Sequence, residues 1–176
     1  MRLFIAFDIS EEAKQILKDI QKNLNIKATF VKEFHLTLKF LGEVEESKVD
    51  SIIQELSKIK FDSFIASLSD IGVFPDRKYV KVVWIGLESH DKICALQKAV
   101  DGATNKFGIS MDKDFIPHLT LARVKFLENK QEFLVAVDNI KVPKSEFKVD
   151  SFKLMKSTLT PQGPVYDVLR VFEAQQ

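Results

Sequence analysis

The sequence has almost none of the residues that form covalent cross-links or multi-cysteine metal sites. Its 176 residues contain one cysteine, Cys94, which excludes an internal disulfide and a cluster of cysteine ligands. Long hydrophobic runs are also missing, so no transmembrane helix is predicted. The apolar run at residues 3–7 is too short for the hydrophobic region of a signal peptide. We therefore expect a cytoplasmic protein that does not bind a membrane.

An excess of charge of one sign is absent as well. The 26 Lys and Arg residues are balanced by 25 Asp and Glu, which gives a formal net charge of +1. Because nonspecific binding of long nucleic acids requires many neutralised phosphates, a polyanionic partner has to be bound locally. Apolar residues, in contrast, are abundant: 45% of the chain is hydrophobic and 15 residues are Phe. This composition is sufficient for one compact domain or two tightly joined lobes.

The spacing of apolar residues predicts an alternating series of strands and helices. Strands are predicted at residues 3–7, 34–41, 64–74, 80–87 and 118–124, and β-rich segments at 147–158 and 165–172. Helical stripes are predicted at residues 13–24, 49–59, 93–107 and 133–137. Each half follows the order strand, helix, strand, helix, strand, with no Gly- or Ser-rich linker between the halves. We therefore expect one domain over residues 1–176, made of two pseudo-repeated lobes that share one sheet system.

The duplication is clearest in the sequence His-Leu-Thr-Leu, which occurs at residues 35–38 and again at 118–121. Side chains alternate between the faces of a strand, so each histidine shares a face with its threonine while the leucines face the core. Two equivalent strands in a duplicated fold place His35, Thr37, His118 and Thr120 on one groove. One imidazole can accept a proton while the other donates one, and threonine hydroxyls can donate hydrogen bonds to phosphate oxygens. The pattern predicts chemistry on a phosphodiester.

Two basic residues follow these motifs. Lys39 has the same strand parity as His35, which makes it a candidate phosphate partner, although an ordinary edge lysine fits the pattern equally well. Arg123 has the opposite parity from His118 and reaches the groove only if the strand bulges or ends near Ala122. Neither motif contains a carboxylate or a cysteine at ligand spacing, so no metal site is predicted.

These motifs resemble those of the two-histidine phosphoesterase superfamily, specifically the LigT-like RNA 2′,3′-cyclic phosphodiesterases. The resemblance extends over essentially the whole chain and includes residues 2–6, 35–43, 117–123 and 163–166. It implies a bilobal α/β fold of the α+β type, with an antiparallel sheet in each lobe, helices outside and an active cleft between the lobes. It also implies hydrolysis of RNA 2′,3′-cyclic phosphate ends to 2′-phosphates without metal or cofactor.

The resemblance also implies a role for each matching residue. His35 is expected to be the acid that protonates the ribose 3′ oxygen, and His118 is expected to activate the water. Thr37 and Thr120 are expected to hold the phosphate, and Arg123 matches a family arginine associated with the substrate. The expected partners are RNA ends or cyclic nucleotides, and the expected state is a monomer.

Three alternatives remain open at this level. The same two histidines can run the reverse reaction, which joins RNA through a 2′,5′ linkage. The chain can instead be a noncatalytic module that binds RNA ends, or a hydrolase for 2′,5′-oligoadenylates or other small phosphodiesters.

Overall fold

The structure is a computed structural model, and it describes residues 1–175. In this part of the chain four helices and nine strands alternate, with a short 3₁₀ turn at Glu46–Lys48. The strands are β1 (Arg2–Asp8), β2 (Lys27–Phe30), β3 (His35–Glu43), β4 (Phe64–Pro75), β5 (Val80–Leu87), β6 (His118–Phe126), β7 (Glu146–Val149), β8 (Ser151–Thr160) and β9 (Gly163–Glu173). The helices are α1 (Glu11–Asn23), α2 (Val49–Leu56), α3 (His90–Asn105) and α4 (Lys130–Asp138). No helix among these residues is long and apolar enough to cross a membrane.

The strands form two antiparallel sheets, one with the order β3-β1-β8-β9 and the other with the order β2-β6-β5-β4-β7. The α+β class with an antiparallel sheet in each lobe is therefore confirmed. Both sheets contain strands from both halves of the sequence: β2 and β4 join the second sheet, whereas β8 and β9 join the first. Neither half of the sequence can therefore complete a sheet alone.

The helices cover the outer faces of the sheets. The Ser10 side chain accepts a hydrogen bond from the Ala13 N–H over 3.1 Å, which caps the start of α1. The apolar stripe of α1 is buried at Ala13, Leu17 and Ile20. Helix α1 lies against β6, and α3 lies against β3. The two strands that carry the repeated motif are thus each supported by one helix.

Three features differ from the sequence prediction. The β-rich segment predicted at 147–158 forms two strands, β7 and β8, which belong to different sheets. Strand β2 was not predicted, because its four residues, Lys27–Phe30, are too few to establish a period. Helices α2 and α3 end before Ile59 and Phe107, which the apolar stripes had included. The Ile59 N–H donates to the Leu56 carbonyl and the Phe107 N–H to the Thr104 carbonyl, so both residues lie in tight turns after the helices.

The leucines of both motifs lie in the hydrophobic core. Leu36, Leu38, Leu119 and Leu121 are each at most 1% exposed. They are buried because period-two alternation turns them toward the helices, while the histidines and threonines face the other way. The core therefore fixes the register of β3 and β6.

We expect Leu36→Ala and Leu119→Ala each to lower the free energy of unfolding by about 2–5 kcal/mol, because each leaves a cavity in the core. Urea denaturation measures this change. Leu159→Ala is the matched control, since Leu159 is 68% exposed. A core variant that loses no more stability than this control would contradict the prediction.

Candidate active site

The four polar side chains of the repeated motif lie on the face of β3 and β6 that is turned away from the core. His35, Thr37, His118 and Thr120 are all half-buried. Strands β3 and β6 approach each other although they belong to different sheets. The strands that carry the two motifs are therefore neighbours.

His35 lies between aromatic rings and beside a carboxylate. Its ring centroid is 5.0 Å from that of Phe4 and 5.3 Å from that of Tyr166, which meets it edge-on. Asp8 lies directly opposite His35 in the β1–β3 pairing, and Lys153 forms an ion pair with the Asp8 carboxylate. Burial lowers the pKa of His35 to about 4, and the negative charge of Asp8 opposes this shift. His35 is therefore neutral at pH 7 in the free protein.

His118 has a similar aromatic setting but a different polar partner. Its ring centroid lies 4.9 Å from that of Phe74 and 6.2 Å from that of Trp84. His118 Nδ1 is 2.7 Å from the Ile116 carbonyl oxygen. Because a carbonyl oxygen can only accept, Nδ1 carries the proton, and in the neutral ring Nε2 keeps a free lone pair. Burial lowers the pKa of His118; the Ile116 carbonyl opposes this effect, and the Arg123 charge adds to it.

Arg123 reaches the face of the histidines because β6 contains one extra residue. Val83 of β5 pairs with Ala122, but the next residue, Trp84, pairs with Thr120, which leaves Leu121 without a partner on β5. This bulge buries both Leu121 and Ala122 and exposes Arg123. The bulge near Ala122, which Arg123 needs in order to reach the histidine face, is therefore present.

The charge of Arg123 acts across the space between the sheets. Burial raises the pKa of Tyr166 in β9 of the first sheet, and the Arg123 charge opposes this rise. The same charge lowers the pKa of His118 in the second sheet. Since Tyr166 packs against His35, the Arg123 charge acts on His118 itself and on an aromatic neighbour of His35.

The prediction that Lys39 faces the groove is wrong. Strand β3 bulges at Leu38, because Ile5 pairs with Lys39 while Ala6 pairs with Thr37. The bulge reverses the alternation, so the Lys39 side chain is only 1% exposed and points toward α3. Its ammonium group forms an ion pair with Asp101 at 2.5 Å and donates to the Ser110 carbonyl, also at 2.5 Å. Lys39 is therefore a structural residue beneath the strand.

Sequence reasoning missed Asp8 and gave no role to Trp84 and Tyr166. Asp8 lies on the same face of β1 as Phe4, which packs against His35, and it follows directly after the apolar residues of β1. A carboxylate at the end of a buried strand was therefore the feature of the sequence that could have identified it. Trp84 lies over Gly72, where a Cβ atom would overlap the indole ring, so its location depends on a pairing that local sequence does not encode.

The surroundings of the cleft provide no evident metal site. Among residues 1–175, no three His, Cys, Asp or Glu side chains come together as a metal ion needs. A cavity of about 460 Å³ extends from Phe40 along the end of β3 to residues 107–112, and neither histidine lines it. The two motifs and the β6 bulge bring two imidazoles, two hydroxyls and one guanidinium group to the faces of β3 and β6 opposite the buried leucines.

Such a set fits a phosphodiester substrate. Imidazoles can transfer protons at both sides of a phosphorus atom, and hydroxyl and guanidinium donors can bind its nonbridging oxygens. The LigT like Phosphoesterase family model matches the chain twice, over residues 5–84 and 85–166. The chain therefore belongs to the LigT-like phosphoesterase family.

Relatives with curated names match over nearly the full length. The RNA 2′,3′-cyclic phosphodiesterase of Thermotoga maritima is 39% identical, with 96% of this chain and 93% of that protein covered. The protein of the same name from Methanocaldococcus jannaschii is 36% identical, with 97% and 99% covered. Among solved structures, TT0787 of Thermus thermophilus superposes with a TM-score of 0.81 at 29% identity, covering 98% of this chain and 97% of that one.

We expect the buried, neutral His35 to make the protein sensitive to acid. The unfolded chain protonates this histidine near pH 6.5, whereas the folded protein does so only near pH 4. Between these values the unfolded state binds the additional proton, so stability falls as the pH falls from 6.5 to 4. Over that interval the wild type should lose up to about 3 kcal/mol more than His35→Asn.

Urea denaturation at pH 6.5, 5.5 and 4.5 measures this difference. His90→Asn is the matched control, because His90 is exposed on the first turn of α3. Parallel stability curves for the wild type and His35→Asn would contradict the lowered pKa.

Proposed function

We propose that the protein hydrolyses the 2′,3′-cyclic phosphate at RNA 3′ ends and leaves a 2′-phosphate. The paired His-x-Thr strands carry this proposal: in each strand the histidine and the threonine share the half-buried face opposite the buried leucines, and β3 and β6 lie close to each other. The names of the full-length relatives support the same substrate.

His118 is the base in this proposal. Its Nδ1 proton is held by the Ile116 carbonyl, so Nε2 is free to accept a proton. Water loses that proton as its oxygen forms a bond to phosphorus, while the bond from phosphorus to the ribose 3′ oxygen breaks. His35 donates the proton that the leaving 3′ oxygen needs. One proton enters the protein and one leaves it, so the pair is restored for the next cycle by exchange with solvent.

The acid must be protonated before it can act, and burial opposes this in the free protein. A bound phosphate brings negative charge next to His35, and that charge favours the imidazolium form. Asp8, on the opposite strand, acts in the same direction. Protonation of His35 is therefore coupled to substrate binding. The hydroxyls of Thr37 and Thr120 and the guanidinium of Arg123 bind the nonbridging oxygens.

Several finer assignments stay predictions. The reverse reaction to a 2′,5′ linkage uses the same groups and follows from microscopic reversibility. We also propose that residues 1–176 form one domain and that the protein is a cytoplasmic monomer.

We expect His35→Ala and His118→Ala each to lower turnover of a 2′,3′-cyclic phosphate by about 10² to 10⁴-fold, the usual contribution of a positioned acid or base. A p-nitrophenyl phosphodiester has a good leaving group and needs the acid least. It should therefore restore much of the activity of His35→Ala and little of that of His118→Ala. Equal rescue would contradict the assigned roles, and full activity of either variant would exclude the two-histidine mechanism. His90→Ala serves as the control.

We expect hydrolysis to continue after exhaustive treatment with a chelator, because the imidazoles supply the proton transfers. The measurement is the rate on an oligonucleotide with a cyclic phosphate end, before and after chelation, with product analysis for 2′- against 3′-phosphate. Loss of activity that one defined metal restores would overturn this mechanism.

A further inference from the structure

The bulge that exposes Arg123 leaves part of the β6 backbone outside the ladder with β5. Leu121 has no pairing partner on β5. Its carbonyl oxygen instead accepts the Val31 N–H at 3.0 Å, just beyond the end of β2. Without further support, β6 could lose the extra residue from the bulge, and a one-residue slip moves every following side chain to the opposite face.

Gln21 of α1 supplies that support. Its side-chain amide nitrogen donates one hydrogen bond to the Leu121 carbonyl and another to the Val31 carbonyl, both at 2.8 Å. Both amide hydrogens are therefore used, and both contacts lie at the bulge. The side chain is half-buried near the end of a helix that packs against β6. Gln21 thus holds the helix, the end of β2 and the bulge together.

The corresponding bulge of β3 is held in an analogous way. Leu38 and Leu121 each lie three residues after their histidine. Lys39, the residue that follows Leu38, is held to α3 by its ion pair with Asp101. Each bulge is therefore connected to the helix beneath its strand, by an ion pair in one half and by an amide in the other. Two different solutions at equivalent places indicate that the bulges require an anchor.

We propose that Gln21 is a positioning residue for Arg123: its amide stabilises the bulge at Leu121 and so keeps the guanidinium on the face of His118 and Thr120. This inference rests on the proposed role of Arg123 at the phosphate. Gln21 itself does not touch the substrate.

A double-mutant cycle tests the proposal. The four proteins are the wild type, Gln21→Met, Arg123→Ala and the double variant, and the readout is kcat/KM on a 2′,3′-cyclic phosphate. Methionine keeps the length of glutamine but cannot donate to either carbonyl. We expect Gln21→Met to lower kcat/KM on the order of 10-fold, because a small displacement of a positioned group is costly. In the Arg123→Ala background the same change should have almost no effect.

Gln15→Met is the matched control, since Gln15 is exposed on the same helix and donates its side-chain hydrogen bond to Asp19, one turn further along. Equal losses from Gln21→Met in both backgrounds, or no loss in either, would overturn the inference. If Arg123→Ala keeps full activity, the proposed role of Arg123 fails instead. If Gln21→Met does not fold, the same cycle is run with Gln21→Asn, whose amide is one methylene too short to reach both carbonyls.

Discussion

Two unpaired residues, Leu38 in β3 and Leu121 in β6, decide which side chains of these strands lie on the face of the histidines. Leu38 and Leu121 have no partner on the adjacent strands β1 and β5, so the alternation of faces reverses after each of them. As a result Lys39 is buried against α3 while Arg123 is exposed beside His118. A regular ladder would produce the opposite arrangement, with a lysine in the cleft of one half and an arginine directed into the core of the other.

Burial among aromatic rings is the second constraint. It lowers the pKa of both histidines, and it does so because the charged imidazole loses its hydration. The same low-polarity setting strengthens any interaction with a bound phosphate. A site that disfavours a proton when empty and favours it when an anion is present links proton uptake to the arrival of substrate. In the proposed mechanism, His35 is therefore protonated as the substrate binds.

Local spacing was sufficient to predict most elements, because hydrophobic period and turn residues are properties of short segments. It was also sufficient for the repeated motif and its buried leucines. It could not predict the bulges, since an unpaired residue is defined by the partner strand and leaves no period of its own. For this reason simple alternation placed Lys39 on the wrong face, and it could place Arg123 near the histidines only if a bulge was assumed. The exchange of strands between the sheets is a nonlocal property in the same sense, and β2 is too short to show a pattern.

The two histidines occupy equivalent places in a duplicated frame, yet the proposed mechanism gives them opposite tasks. Their polar neighbours differ in the way those tasks require. The Ile116 carbonyl fixes the tautomer of His118 and leaves Nε2 as an acceptor, which is what a base needs. The Asp8 carboxylate lies opposite His35 and favours the charged ring, which is what an acid needs. The duplication therefore accounts for the presence of two histidines, and the departures from symmetry fit the different tasks that the proposed mechanism gives them.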